Sequence, residues 1–502
     1  MQIFMRHLIP AFLFLTAFHA HAQNAGDKFF AENTLHEIRI YFAQSNYIDS
    51  LTRNYTLDAY MQCKVRIDGI DYDRCGGKWK GNSSYNNPSK KKSWRLDLTE
   101  YGMEQSFDGL DKFVLNNGFK DPTFLREKMM LDFLNAHGIE APRASFARVF
   151  VNGSYWGLYT VVEDIGKPFL KRHFNNKDGN LFKGDPRGDL RWKNSTPASY
   201  YTDYELKTNE TENNWSDLIH FIALLNNTPV DRLEDSLNTV LNTAGWLSYW
   251  AAHNLFVNLD SYIGSGHNYY LYHNTDSKQF EWITWDVNEA FGNFNMGLSL
   301  AQIKTLPFTH IPLPMTNRPI MKRLIDLPAY KQKLAQRECA LLQAFSIEKL
   351  GPRIDELAAL IRQAAYTDSL KFFGNQQFEL NLNQDLGNIP GLRPFIRERR
   401  SSLLAQLTPY GCTLTAVDQQ DSVQPNFTLF PNPAHEGTTI RTTGSRIVAV
   451  RISDMTGRLL RVEKGNNTAD QHILLTGLPP GLYIVCVEQA GGNCLTAKLL
   501  VQ

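Results

Sequence analysis

The chain has 502 residues with 52 basic and 51 acidic side chains, a formal net charge of +1, so no overall field draws it to nucleic acid or to a charged membrane surface. That length allows two or three domains with ample core. The opening MQIFMRHLIPAFLFLTAFHAHA sets Arg6 and His7 before an apolar run from Leu8 to Phe18 and closes on Ala20 and Ala22, the pattern of an export signal over residues 1–22 cut after Ala22. The run is too short to span a membrane and no later stretch reaches that length, so an exported, soluble monomer without a transmembrane segment is expected.

The six cysteines suit an oxidising destination and fall into local pairs, Cys63 with Cys75, Cys339 with Cys412 and Cys486 with Cys494. Zinc is the rival for them, but no close CxxC or Cys/His cluster accompanies them, so structural disulfides are expected.

From Met61 to Leu98 the text alternates as strands on either side of CGGKWKGNSSYNNPS, a stretch rich in Gly, Asn and Ser. Lys90 to Lys92 read most simply as a solvated basic turn. Asn82-Ser83-Ser84 also spells a glycosylation sequon, of little weight on the bacterial export route that the tail suggests below. PTFLREKMMLDFLNAHGI is an amphipathic helix opened by Pro122 and closed near Gly138, with Leu125, Met129, Phe133 and Leu134 on its apolar face. ASFARVFVNGSYWGLYTVVEDI gives two strands joined by Asn152-Gly153, a type I′ hairpin signal. Residues 214–257 and 318–405 carry helical periodicity, as in Leu218, Ile222 and Leu225 or Leu357, Leu360 and Ile361.

The richest stretch runs from His253 to Phe294. A buried helix near 243–257 delivers Asp260 onto a loop with Asn258, Gly264, Gly266 and Asn268, NYYLYH reads as a strand, and FEWITW as a second strand ending in Asp286. Oxygen-bearing side chains at neighbouring strand and loop ends suit a hard cation such as magnesium. Asp260, Asn268 eight positions on (268 − 260) and Asp286 eighteen further (286 − 268), followed by Phe291-Gly292, parallel the kinase order of a base, a metal Asn and a metal Asp, at a different spacing. The plain alternative is that Asp260 caps a turn, Asn268 is a left-handed turn residue and Asp286 opens a helix. His253, His267 and His273 are read as hydrogen-bonded residues beside aromatics rather than as transition-metal ligands.

NLDSYIGSGHNYYLY and WDVNEAFG, preceded by KGNSSYNNPSKKKSWRLDL, LREKMMLDFLNAHGI and GLYTVVEDIGKPFLKRHF, resemble the spore-coat CotH family of atypical secreted protein kinases over roughly residues 35–405. The resemblance implies an α+β, two-lobed kinase-like fold and transfer of the ATP γ-phosphate to Ser or Thr of a protein, with Mg²⁺ or Mn²⁺. Asp260 is then the catalytic base, and Asn268, Asp286 and Asn288 are the metal positions. Asn288 stands where the family often has a second acid, which lowers the charge of the metal site. In a kinase the loop after Met61 is a lid, so backbone amides of Gly81 to Ser84, Ser83 included, face phosphate, and Lys92 or Arg95 reaches the α and β phosphates. Glu127 is nominated to pair with that cation, although Arg126 is the residue the family more often shows there. VVEDI occupies the adenine hinge, which nominates Glu163 and Ile165 as nucleotide neighbours through backbone groups.

After Cys412 the sequence turns polar, a linker over 413–426. From Phe427 onward short strands alternate with turns in a small all-β sandwich, and FPNPA, ISDMTGRLL and LPPGLYIV resemble the sorting domain read by the type IX secretion machinery of Bacteroidetes. That implies a secreted or outer-surface protein with this machinery as a partner. A carbohydrate-binding sandwich is the alternative for the tail, disfavoured by the lack of an aromatic row. For the whole chain the alternatives to an active kinase are a catalytically inactive kinase-like adhesin or scaffold and, more distantly, a polysaccharide-active enzyme built on paired carboxylates.

Overall fold

A computed structural model describes residues 24–414, 427–442, 446–454, 458–489 and 494–502; residues 1–22, expected to be an export signal, and residues 415–426 of the linker lie outside the described residues. The chain divides into two compact units, residues 1–415 and 416–502.

The first unit begins with a seven-stranded closed barrel: β1 Leu35–Tyr41, β2 Met61–Ile67, β3 Ile70–Lys80, β4 Ser93–Asp97, β5 Lys112–Asn116, β6 Ala144–Val151 and β7 Ser154–Glu163, in the order β1-β2-β3-β4-β5-β7-β6. LHEIRIY and MQCKVRI alternate buried and less buried residues, the period that puts one face of each strand inside. Asn152 and Gly153 both take positive φ in the two-residue turn between β6 and β7, as Asn-Gly requires. Closure depends on β1, which pairs antiparallel with β2 and parallel with β6. Ile38, Val65, Trp79, Trp94, Phe113, Val149 and Val161 fill the interior.

Cys63 and Cys75 face each other in register across β2 and β3, yet both are buried free thiols, which corrects the expected disulfide. The Cys75 thiol is turned to the Tyr72 carbonyl at 3.4 Å rather than to its partner sulfur, and burial pushes it up to about 11. Cys339 and Cys412 are bonded, tying the helix Pro328–Leu342 to the end of the unit. Cys486 is in a disulfide, and the side chain of Cys494 lies outside the described ones.

Beyond the barrel, a four-stranded sheet, β8 Leu181–Gly184, β9 Tyr204–Leu206, β10 Tyr269–Asn274 and β11 Gln279–Thr284 in the order β11-β10-β8-β9, shares a second core with the helices. The helix Arg126–Ala136 packs on β6, and the helix Ile347–Thr367 leads to Asp368. Asp368 is buried against Lys91, whose ammonium also donates to the Leu158 carbonyl. Gly157 permits this approach, because a Cβ there would sit 2.4 Å from the Asp368 carboxylate. Among the described residues no helix is long and apolar enough to cross a membrane.

In the second unit, β12 Phe427–Phe430, β13 Gly437–Thr442, β14 Ile447–Asp454, β15 Leu459–Lys464, β16 Asp470–Leu474, β17 Gly481–Gln489 and β18 Cys494–Val501 form sheets ordered β12-β13-β16 and β15-β14-β17-β18. Phe427, Ile440, Ile452, Val485 and Leu499 lie in their common core, so the tail is a sandwich as its alternation implied.

Candidate active site

The helix Thr243–Leu255 is capped by the Asn242 side chain, which accepts from the Gly245 amide, and most of its residues are buried. Behind it the chain turns at Val257, φ +45°, and presents Asp260. This turn is fixed by a buried histidine. Asn258 Nδ2 donates to His253 Nδ1 at 3.2 Å and His253 Nε2 meets Thr284 Oγ1 at 3.2 Å. Burial pushes His253 down to about 3, so the ring is neutral and the network assigns its proton to Nε2. Thr284 ends β11 two residues before Asp286, so His253 joins the segment leading to Asp260 with the segment leading to Asp286.

Asn268 Nδ2 donates to the Asp260 carbonyl at 2.9 Å, leaving its Oδ1 as the acceptor end. Asn268 and Asp286 take φ +58° and +51°, a left-handed conformation that Asn and Asp tolerate best and that concentrates at functional sites. The Asp260 carboxylate receives His267 Nε2 at 3.0 Å and Ser265 Oγ at 3.3 Å, both on Oδ1. Burial works against a charge on His267, but the carboxylates of Asp185 and Asp260 on either side of the ring prevail and raise it to about 9, so the ring is an imidazolium at neutral pH.

Cations arrive from both sheets. Burial raises the Asp286 carboxyl, and Lys80 at the end of β3, Lys183 on β8 and His267 oppose that rise while the Asp260 charge adds to it. Lys80 Nζ donates to Asn116 Oδ1 at 3.1 Å, and Asn116 Nδ2 donates to both Glu127 carboxylate oxygens at 2.8 and 3.0 Å. The amide of Asn116 therefore stands between the lysine and the helix acid. Burial lowers Lys80 against the pull of Asp286, and burial together with the Asp286 charge raises Glu127 to about 8. Lys80 also lies 5.4 Å from the ring centroid of Trp285. A further acid, Glu289, is buried next to this group and raised to about 7 by burial, with Lys120 holding both its oxygens at 2.9 Å.

The structure thus joins Asp260, Asn268 and Asp286, with Glu127 connected through Asn116. Arg95 stands at the edge of the group, acting electrostatically on Lys80 while bound to Asp164 at 2.8 Å. Lys92 does not join it: its ammonium donates to the Tyr85 and Asn87 carbonyls at 2.5 and 2.6 Å. Gly81 follows Lys80 directly at φ +93°, with its carbonyl accepting from Tyr55 OH at 2.6 Å, and Ser83 is exposed in the short turn Ser83–Asn86. Glu163 is closed off by Arg143 and Arg172 at 2.7 Å each, its amide donates to the Arg143 carbonyl at 3.0 Å, and Ile165 is buried in the larger core. Asn288 is half-buried in the turn after Asp286, and its neighbour Glu289 is the acid on which the Asp260 and Asp286 charges act. Sequence reading missed Lys80, Lys183, Asn116, His267 and Glu289 as members of this group. For Lys80 a signal existed, since KWK alternates and ends the strand at the glycine of the lid. Among the described residues no group of three or more His, Cys, Asp or Glu side chains is placed to hold a metal ion.

A family model described as CotH kinase protein matches residues 78–403, and one described as secretion system C-terminal sorting domain matches residues 428–502. The chain is similar to inner spore coat protein H of Bacillus subtilis (strain 168), 27% identical over 296 residues covering 58% of this chain and 78% of that protein. An inner spore coat protein H-like protein of the same organism is 24% identical over 310 residues, 61% of this chain and 84% of that one. Invasin CotH2 of Rhizopus delemar is 30% identical over 81 residues, 16% of this chain and 13% of that one. Among solved structures, that of the Helicobacter pylori proinflammatory kinase CtkA aligns with 63% of this chain and 94% of its own at 11% identity and a TM-score of 0.28.

Proposed function

The chain belongs to the CotH kinase protein family, and from that premise we propose that it is an exported, ATP-dependent protein kinase of two-lobed form, with the barrel as the smaller lobe. The observation that carries this reading is the meeting of Asp260 and Asp286 with Lys80, a lysine steered by Asn116 beside the acid of a packed helix. Phosphoryl transfer asks for a proton acceptor at the attacking hydroxyl and for cations along the phosphates. Both hydrogen bonds to the Asp260 carboxylate fall on Oδ1, so Oδ2 is the oxygen to accept the proton of a serine or threonine hydroxyl. Lys80, and behind it Lys183 and Arg95, supply positive charge for the α and β phosphates, and Gly81 lets the lid backbone turn next to Lys80.

The donor set suits a hard dication. The Asp286 carboxylate and Asn268 Oδ1 would hold Mg²⁺ or Mn²⁺, which when bound neutralises charge on the phosphates, with Asn288 and Glu289 near enough in sequence to adjust that charge. The competing reading, a kinase-like adhesin or scaffold without catalysis, draws on Asn288, a neutral amide two residues after Asp286 where a second acid would strengthen the metal site. The sorting domain supports secretion or display at the cell surface through the type IX machinery.

Purified protein incubated with labelled ATP and Mg²⁺ or Mn²⁺ decides between kinase and scaffold. Asp260→Asn should keep nucleotide binding and lower transfer by ~10² to 10⁴, because an amide cannot take the proton. If Asp260 only caps a turn, Asn serves equally well and transfer stays unchanged. Asp286→Ala should lower turnover by ~10² or more. Removing everything after Asp421 should leave the first unit folded but keep it inside the cell envelope, which cell fractionation reads.

A further inference from the structure

The Asp260 carboxylate is held by more than its own turn. His267 Nε2 meets its Oδ1 at 3.0 Å, and His267 Nδ1 lies 3.8 Å from Asp185 Oδ1 on the other side of the ring. Asp185 directly follows β8 and is ion-paired with Lys183, the β8 residue opposite Tyr270 of β10. A chain of polar contacts therefore runs along the end of the second sheet from Lys183 through Asp185 and His267 to Asp260.

The loop carrying His267 does not depend on this ring for its shape. Gly264 and Gly266 amides donate to the Ser261 carbonyl at 3.1 and 2.9 Å, the Ser265 amide donates to the Leu259 carbonyl at 2.8 Å, and the Arg318 guanidinium binds the Gly264 carbonyl. His267 keeps 27% of its side-chain surface exposed, unlike the fully enclosed His253, so it is not core filling. With the backbone fixed separately and one carboxylate at each ring nitrogen, what the imidazole determines is the direction of those carboxylates.

We propose that His267, oriented by Asp185, is the positioning residue that fixes the rotamer of Asp260 so that Oδ2 meets the acceptor hydroxyl. This inference rests on the kinase reading of Asp260. A second-row donor of this kind raises the fraction of encounters with aligned reacting atoms and leaves nucleotide affinity alone.

His267→Leu, which has no donor, should lower phosphate transfer ~10²-fold with the ATP dissociation constant within ~2-fold of wild type. His267→Gln, whose amide nitrogen can replace Nε2 but presents no second nitrogen on the side facing Asp185, should recover transfer to within ~10-fold of wild type. Asp185→Asn should cost ~10-fold in the wild-type background and nothing further beside His267→Gln, a coupling that independent sites do not show. Additive losses, a loss of ATP affinity in place of transfer, or full activity of His267→Leu would each overturn the proposal. Should His267→Leu fail to fold, the coupling between Asp185→Asn and His267→Gln still decides. Crystal structures give a readout that needs no turnover: the Asp260 carboxylate should rotate in His267→Leu and stay in place in His267→Gln. An unmoved Asp260 in the leucine variant refutes the positioning role even in an active kinase, whereas absent transfer by wild type with the rotation observed refutes the kinase reading alone.

Discussion

Two lysines of the barrel, Lys80 and Lys91, meet acids in opposite ways. Lys91 has no solvent exposure and is closed by Asp368, by the Leu158 carbonyl and by the faces of Phe124 and Tyr159. Its acid is equally consumed, since Asp368 also accepts from the Leu158 amide at 3.0 Å. Lys80 is half-buried and reaches its helix acid through Asn116, and among the described residues no direct ion pair joins it to Asp286. A buried charge that is fully paired serves as a clamp. One held beside its counter-charges but short of contact keeps capacity for an arriving anion, and perturbed groups of that kind mark functional sites.

Substitution separates the two. Lys80→Met should cut phosphate transfer ~10³-fold while the unfolding free energy stays within ~1 kcal/mol of wild type, because no direct pair is broken. A stability loss as large as that of Lys91→Met would mean Lys80 is a clamp as well. Lys91→Met should destabilise by ~3–5 kcal/mol in urea unfolding, since Asp368 is left buried without its partner. Lys91→Met with Asp368→Leu should recover part of that loss, and transfer per folded molecule should be unchanged throughout. Glu127→Gln should lower transfer by only ~10-fold, because Asn116 can still orient Lys80 through its own amide oxygen; a loss equal to that of Lys80→Met would show that the acid acts on the phosphate path directly.

A third buried pair gives the smallest effect and tests the same contrast by pH. Glu338 and Arg399 are fully buried 4.0 Å apart, and neither Glu338 carboxylate oxygen has a hydrogen-bond partner among the described residues. Burial raises Glu338 to about 8. The folded protein thus holds a proton that the unfolded chain releases, so this group's contribution to stability is complete below pH ~4.5 and is lost as pH rises towards ~8. Thermal unfolding at pH 5 and pH 9 should show a smaller fall for Glu338→Gln than for wild type. Equal falls would place the titration elsewhere.

Features that depend on neighbours along the chain are legible in the amino-acid sequence. Asp260, Asn268 and Asp286 stand at the ends of a helix and two strands with strong periodicity, and Gly264 and Gly266 bend the loop between them, so periodicity and turn chemistry suffice to bring them near one another. The alternating strands of the tail are legible for the same kind of reason. Which lysine serves the site is not. Lys80, Lys92 and Arg95 are alike as residues on one hairpin, and their directions follow from the register Lys80↔Ser93 and Lys78↔Arg95, which pairing across the barrel sets. Tertiary pairing alone brings Asp185 alongside His267 from 82 residues earlier (267 − 185), and even Cys63 and Cys75, opposite one another in register, stay free because the Cys75 thiol turns to the Tyr72 carbonyl. Local pattern fixes the alternation of a strand, but long-range pairing fixes what stands opposite it, and an ion's partner is a matter of what stands opposite.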